Sequence, residues 1–243
     1  MRATRVHLDQ PLQADSEIAL PAAAAHHLLR VLRLRPGARL QVFNGDGLQY
    51  PGEIVAAAGR DGCRVRLGQA EQPTVEAAIE VTLVQAIGRG ERMDWAVQKA
   101  TELGVARIQP VFTERTEVRL TGQRLERRRE HWQQVAIAAA EQSGRVQVPT
   151  VEPPRSLQTV EPGPGLNLFL DPEASMAAGE LHAPSPAACC VVVGPEGGLS
   201  AAETGQLERL GFRGLRLGPR ILRTETAGPA VLACLHTRFG DWS

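Results

Sequence analysis

The sequence predicts an α/β protein in two parts, a parallel-sheet domain preceded by a small β-rich unit. Three observations carry this expectation. From residue 79 onward, near-continuous apolar runs alternate with helical segments, the pattern of strands buried on both faces of a parallel sheet. Before that point, short stretches alternate apolar and polar residues around turn-forming clusters. Between them "EQPTVEAA" (71–78) reads as a connection, which places the first unit at residues 1–72 and the second at 73–243.

In the first unit, "PAAAAHHLLRVLRL" (21–34) predicts one helix with Ala24, Leu28, Val31 and Leu32 on one side. Two apolar runs then flank the turn-rich Asn44-Gly45-Asp46-Gly47. In "GCRVRLGQ" (62–69), Cys63, Val65 and Leu67 alternate with Arg64 and Arg66, a half-buried strand. A barrel is one way to close such short strands.

The second unit opens with the strand "IEVTLVQAIG" (79–88). "GERMDWAVQKATELG" (90–104) is a helix that stops at Gly104, a residue suited to the left-handed turn past a helix end. "VARIQPVFT" (105–113) is the next strand. "GQRLERRREHWQQVAIAAAEQSG" (122–144) is a long helix, again closed by a glycine. Two more strands follow, "LNLFLDP" (166–172) and "ACCVVVGPEGG" (188–198). "SAAETGQLERLG" (200–211) carries a capping box, Ser200 to Glu203. A short strand, "FRGLRLG" (212–218), and a helix, "TAGPAVLACLHTRFG" (226–240), complete the series.

Composition narrows the function classes. With 27 basic and 27 acidic residues the net charge is zero, which argues against a strongly basic nucleic-acid binder. Yet Lys99 is the one lysine, and the arginine fork suits phosphate and stacks on bases; base composition of the genome explains such a bias equally well. No apolar run approaches the roughly 18 residues of a membrane span, and the N-terminus has no apolar signal core, so a cytoplasmic protein without membrane partners is expected. Cys63, Cys189, Cys190 and Cys234 lack metal-ligand spacing and read as small apolar residues of a reducing compartment. No metal is expected, because the histidines show no H-E-x-x-H pattern. A P-loop, a G-x-G-x-x-G fingerprint and a G-x-S-x-G elbow are all missing.

Three stretches carry chemistry. "VVVGPEGGLSAAE" (191–203) leaves a buried strand at Gly194 and enters a helix at Ser200, and ligands of open α/β sheets bind at such carboxyl ends. "LGPRILRTETAGPAV" (217–231) follows another short strand. There Pro219 fixes φ and lacks an N–H, Thr224 is placed to cap the following helix, and Arg220 and Arg223 reach outward. Each is also a plausible ordinary turn or cap, but two such loops in one domain favour a shared ligand site. "RTEVRLTGQRLERRREHW" (115–132) is either a phosphate-contacting face or a solvated helix flank paired by Glu126 and Glu130.

Taken together, "GPEGGLS", "LGPRILRTETA" and a C-terminal "RFGDW" resemble the bacterial 16S rRNA uridine-N3 methyltransferases of the SPOUT superfamily. "RVLRLRPG" (30–37), "RGERMDWAVQKATELGV" (89–105) and "AIAAAEQSGR" (136–145) extend the likeness over essentially the whole chain. The resemblance implies a PUA-like β-barrel that helps hold RNA, then a domain with a deep trefoil knot. It also implies a homodimer acting on 16S rRNA or the small ribosomal subunit, with S-adenosylmethionine as methyl donor. The donor is expected among three loops: Leu170, Asp171 and Pro172; Gly194, Pro195, Glu196, Gly197 and Gly198; and Leu217, Gly218, Pro219, Ile221, Leu222, Thr224 and Thr226.

Methyl transfer to uracil N3 needs in-line alignment and removal of a weakly acidic proton. Glu225 or Glu196 is the candidate for that proton, and Arg223 or Arg220 for charge on a uracil carbonyl oxygen. Arg2, Arg5, Arg30, Arg33, Arg124 and Arg128 are the expected rRNA phosphate contacts. The alternatives are a related enzyme acting on another RNA and a non-catalytic RNA-binding module. Gly228-Pro229 departs from the family pattern, and because proline is tolerated only in a first turn, the last helix is expected to begin at 225–228.

Overall fold

The computed structural model describes residues 3–58, 62–118, 120–181 and 187–242, so the expected RNA contact Arg2 lies outside the described residues. The chain divides into two compact units. One comprises residues 1–76 with 140–148, the other 77–139 with 149–243.

The first unit contains β1 (Thr4–His7), β2 (Glu17–Ala19), α1 (Ala22–His26), β3 (Arg39–Phe43), β4 (Gln49–Ala58) and β5 (Gly62–Leu67). They form a five-stranded sheet in the order β1-β3-β4-β5-β2, with β1 and β3 parallel and the other neighbours antiparallel. Cys63, Val65 and Leu67 of β5 are buried and alternate with exposed Gly62, Arg64 and Arg66. They join Leu8, Leu28, Leu40, Val42 and Ile54 in one core.

The expected helix 21–34 is shorter. A π-turn, His27–Val31, follows α1 and rotates the chain, so Leu28 is buried while Val31 and Leu32 are 58% and 41% exposed. The returning segment 140–148 is held by two carboxylates. Glu76 accepts from the Val146 and Gln147 amides at 2.8 and 2.9 Å and pairs with Arg145, and Glu141 accepts the His7 amide at 2.8 Å.

The second unit contains β6 (Glu80–Ala86), α2 (Arg92–Glu102), β7 (Arg107–Phe112), α3 (Gly122–Ser143, its last four residues grouped with the first unit), β8 (Thr150–Val151), β9 (Arg155–Ser156), β10 (Leu166–Leu170), β11 (Ala188–Val193), α4 (Ala201–Arg209), β12 (Arg213–Leu215) and α5 (Thr224–Phe239). Its strands pair in parallel in the order β12-β10-β11-β6-β7-β8, with β9 also on β7. The near-continuous apolar runs are explained by this arrangement. Residues 189–193 of β11 are buried throughout, between β10 and β6. Cys189 and Cys190 point to opposite faces of β11, and burial pushes both thiols up to about 11, which makes them inert.

Gly104 and Gly144 both take positive φ directly after α2 and α3, the role read for them. Ser200 and Glu203 form the expected capping box at the start of α4. Asp94 of α2 fastens α3 through Arg128 (3.3 Å), His131 (2.8 Å) and the Trp132 indole N–H (3.1 Å).

The start of α5 corrects the sequence reading. The helix begins at Thr224, Arg223 is its N-cap, and Thr224 does not cap it. Pro229 is therefore the sixth helical residue, past the first turn. Together with Gly228 it costs the isolated helix on the order of 3–4 kcal/mol.

Candidate active site

The sheet order places β12, β10 and β11 side by side, so the loops leaving their carboxyl ends converge. They line a cleft of roughly 790 Å³. Of the residues expected at the donor site, Leu170, Asp171, Pro172, Gly194, Pro195, Glu196, Gly197, Gly198, Leu217, Gly218, Ile221, Leu222 and Thr224 face it. Arg220, Arg223 and Glu225 do so as well, whereas Pro219 and Thr226 are not among its lining residues. A second hollow of roughly 350 Å³ opens around the amino ends of β6, β7 and β11. Ligands of open parallel sheets bind at the carboxyl ends, which makes the larger cleft the candidate.

The cleft wall is largely main chain. Gly198 and Gly218 have φ of +70° and +111°, a region other residues enter only at a cost, and neither has a neighbouring atom where a Cβ would sit. Both therefore leave backbone open toward the cleft. Arg220, Ile221 and Arg223 are exposed, with Ile221 85% accessible.

Two segments that sequence reasoning did not assign to the site hold the "GPEGG" loop. Arg92, the first residue of α2, donates to Glu196, and from the β6–α2 turn the Arg89 amide reaches the same carboxylate oxygen at 3.1 Å. From the β7–α3 loop, Arg115 donates to the Gly197 carbonyl at 2.8 Å, and the Glu114 amide donates to Glu203 at 2.8 Å. Arg92 and Arg115 also line the cleft. Arg115 opens the arginine-rich stretch read as either a phosphate-contacting face or a solvated flank, and Arg92 carries no sequence signal of its own.

The two candidate carboxylates differ. Burial raises the Glu196 carboxyl, but hydrogen bonds from its own amide, the Arg89 amide and the Arg92 guanidinium outweigh burial and hold it below its ordinary value. Glu225 has one oxygen 3.9 Å from the Arg92 Nε, and its buried Oε2 has no hydrogen-bond partner among the described residues. Glu196 Oε1 thus takes both the Arg92 guanidinium and the Arg89 amide, whereas Glu225 Oε2 has no hydrogen-bond partner among the described residues.

The expected RNA contacts divide in the same way. Arg30, Arg33 and Arg124 are exposed. Arg5 is not free for phosphate, since its guanidinium bonds Gln49 and the Arg145 carbonyl and lies over the Phe43 ring. Arg128 is likewise spent on Asp94, the Gly90 carbonyl and the Trp132 face.

Comparison with known proteins identifies the family. A family model described as an RNA methyltransferase domain matches residues 75–236, and one described as an RNA methyltransferase PUA domain matches residues 20–68. A methyltransferase of Legionella pneumophila, solved with S-adenosylmethionine bound, is 33% identical and superposes with a TM-score of 0.93, covering 99% of this chain and 100% of that one. The ribosomal RNA small subunit methyltransferase E of Neisseria gonorrhoeae, also bound to S-adenosylmethionine, is 34% identical with a TM-score of 0.92 over the full length of both chains. The Bacillus subtilis protein of that name is 30% identical over 93% of this chain and 92% of its own length. The family anticipated from the two C-terminal motifs is the one found, and the chain belongs to the RNA methyltransferase family of the ribosomal small subunit methyltransferase E proteins.

Proposed function

We propose that this protein transfers the methyl group of S-adenosylmethionine to N3 of a uridine in 16S rRNA of the small ribosomal subunit. The observation that carries the reading is the convergence of three strand-end loops on one cleft whose wall also holds Glu225 with a free oxygen. A cleft of roughly 790 Å³ suits a donor of this size, and the open backbone at Gly198 and Gly218 suits main-chain recognition of adenine and ribose. The relatives solved with the donor bound support the same ligand.

When bound, the sulfonium supplies an already activated methyl group. The chain's own task is then alignment and proton management. In this reading Glu225 accepts the N3 proton, because Glu196 is committed to Arg92 and to the Arg89 amide. Arg220 and Arg223, exposed at the rim, face the charge that develops on a uracil carbonyl oxygen. Arg30, Arg33 and Arg124 contact rRNA phosphates.

A PUA-like barrel in the first unit, a trefoil knot in the second, and a cytoplasmic homodimer with each donor site bordering the partner complete the proposal. Deleting the gene and mapping 16S rRNA by mass spectrometry tests it. One N3-methyluridine should disappear and return with the wild-type gene; an unchanged 16S rRNA would refute the assignment. Absence of donor binding in calorimetry would instead point to a binding module.

A further inference from the structure

Gln85 lies in β6, on a strand otherwise composed for burial, and is 1% exposed. An amide so placed is costly unless its hydrogen bonds are made. Its Nε2 donates to the Thr224 hydroxyl at 2.9 Å and to the Ala86 carbonyl at 3.2 Å. The Thr224 hydroxyl donates its single proton to the Gly194 carbonyl at 2.7 Å. Because that proton is spent on Gly194, the hydroxyl can only accept from Gln85, and this fixes which way the amide faces.

The relay joins three segments distant in sequence: the end of β6, the first residue of α5 and the start of the "GPEGG" loop. Only the Nε2 end of the amide is satisfied: the buried Oε1 has no hydrogen-bond partner among the described residues and turns toward α5, where a Cβ on Gly228 would stand 3.1 Å from it and 3.3 Å from Leu83. The glycine that weakens α5 is therefore the residue that lets the helix settle on Gln85. Thr224 is the first helical residue rather than the N-cap, and its hydroxyl is used across the sheet.

We propose that Gln85 is a positioning residue for methyl transfer. Through Thr224 it sets the first turn of α5, and with it Glu225, at a fixed offset from the "GPEGG" loop. The inference rests on the methyltransferase reading above. Its basis is that in-line transfer tolerates little misplacement of base relative to donor.

The test uses the full-length protein and the variants Gln85→Leu, Gln85→Glu, Thr224→Val and Thr224→Ser. Thr224→Ser keeps the hydroxyl and should keep the relay, with amide exchange in residues 194–198 and 224–227 at the wild-type level. The other three should lower single-turnover methylation of 16S rRNA or small subunits by roughly 10- to 100-fold. The double variant Gln85→Leu/Thr224→Val should be no worse than either single one, as for one shared interaction. Amide hydrogen exchange of the ligand-free protein supplies a readout independent of activity, and exchange should rise together in residues 194–198 and 224–227.

Unchanged exchange in both segments would overturn the relay. Raised exchange with unaltered methylation would overturn the positioning role. A wild type that neither binds S-adenosylmethionine nor methylates would overturn the methyltransferase reading instead, and the exchange data would still decide the relay. Should Gln85→Leu fail to fold, Gln85→Glu and the Thr224 pair carry the same comparison.

Discussion

Arg92, in the first turn of α2, donates its guanidinium to Glu196 of the "GPEGG" loop, tying the start of α2 to a wall of the candidate cleft. Both side chains are about one-third exposed, so the pair adds little to global stability. Its effect is local. Arg92→Met should leave the melting temperature within a few degrees of wild type, while donor affinity falls on the order of tenfold. Calorimetry with S-adenosylmethionine and a thermal melt measure the two, and a large loss of stability with normal affinity would contradict the local role. The pH sign follows from the depressed Glu196 carboxyl: the clamp is present above the ordinary carboxylate value of 4.5 and lost only as pH falls through the lower folded value. Donor affinity should therefore show no inflection from Glu196 between about pH 5 and 8.

Glu225 and Glu196 differ in what they have left to give. Glu225→Gln should reduce single-turnover methylation by about 10²- to 10⁴-fold with donor affinity preserved, the mark of a lost proton acceptor. Glu196→Gln should act first on donor affinity, through the loosened loop. If the two variants show the same balance of affinity and rate, the division of roles is wrong.

Much of this arrangement was legible before the structure. Strand and helix alternation, the glycine stops at 104 and 144, the Ser200–Glu203 box and the two glycine- and proline-rich loops at 194–198 and 217–226 all depend on local chemistry, which a sequence displays directly, whereas the loop at 170–172 was expected only from the family resemblance. What was not legible depends on residues far apart. Arg92 reads as a solvent-facing charge on an amphipathic helix, and nothing local couples it to a glutamate 104 positions later. Thr224 has the right chemistry for a cap, but the helix starts at it, Arg223 takes the cap position, and the Thr224 hydroxyl bonds Gln85 and Gly194 instead. Arg5 and Arg128 look like phosphate ligands until a neighbouring ring and buried acceptors are found to hold them. The two-residue strands β8 and β9 are too short to show a period, and residues 140–148 group with the first unit while helical periodicity runs on through residue 143.

Glu203 is 7% exposed and satisfies two amides, Ser200 at 2.8 Å within its own capping box and Glu114 at 2.8 Å from the β7–α3 loop. Removing the carboxylate strands both donors. Glu203→Ala should cost about 1–3 kcal/mol in urea unfolding, more than an ordinary cap, while Glu203→Gln, which keeps one acceptor, should cost less. Ser200→Ala, which removes only the cap, should cost about 1 kcal/mol. Equal losses for Ser200→Ala and Glu203→Ala would mean that the Glu114 contact contributes nothing.

Arg33 follows the π-turn of the first unit with φ of +56°, a conformation that costs a non-glycine residue about 1 kcal/mol or more. Its neighbours Arg30, Val31 and Leu32 are all exposed, so the strained turn presents arginines and apolar side chains together. Arg33→Gly should therefore raise or preserve stability while weakening RNA binding, separating the two effects that most substitutions confound. Charge reversal at Arg30 or Arg33 should weaken binding to 16S rRNA fragments and lower the slope of log affinity against log salt by about one per lost phosphate contact. Arg128→Glu should behave differently. It breaks the Asp94 contact that joins α2 to α3, so the melting temperature should fall first. RNA titrations at several salt concentrations, run beside thermal melts, distinguish the cases. If Arg33→Gly binds RNA as tightly as wild type, the strained turn does not serve RNA recognition.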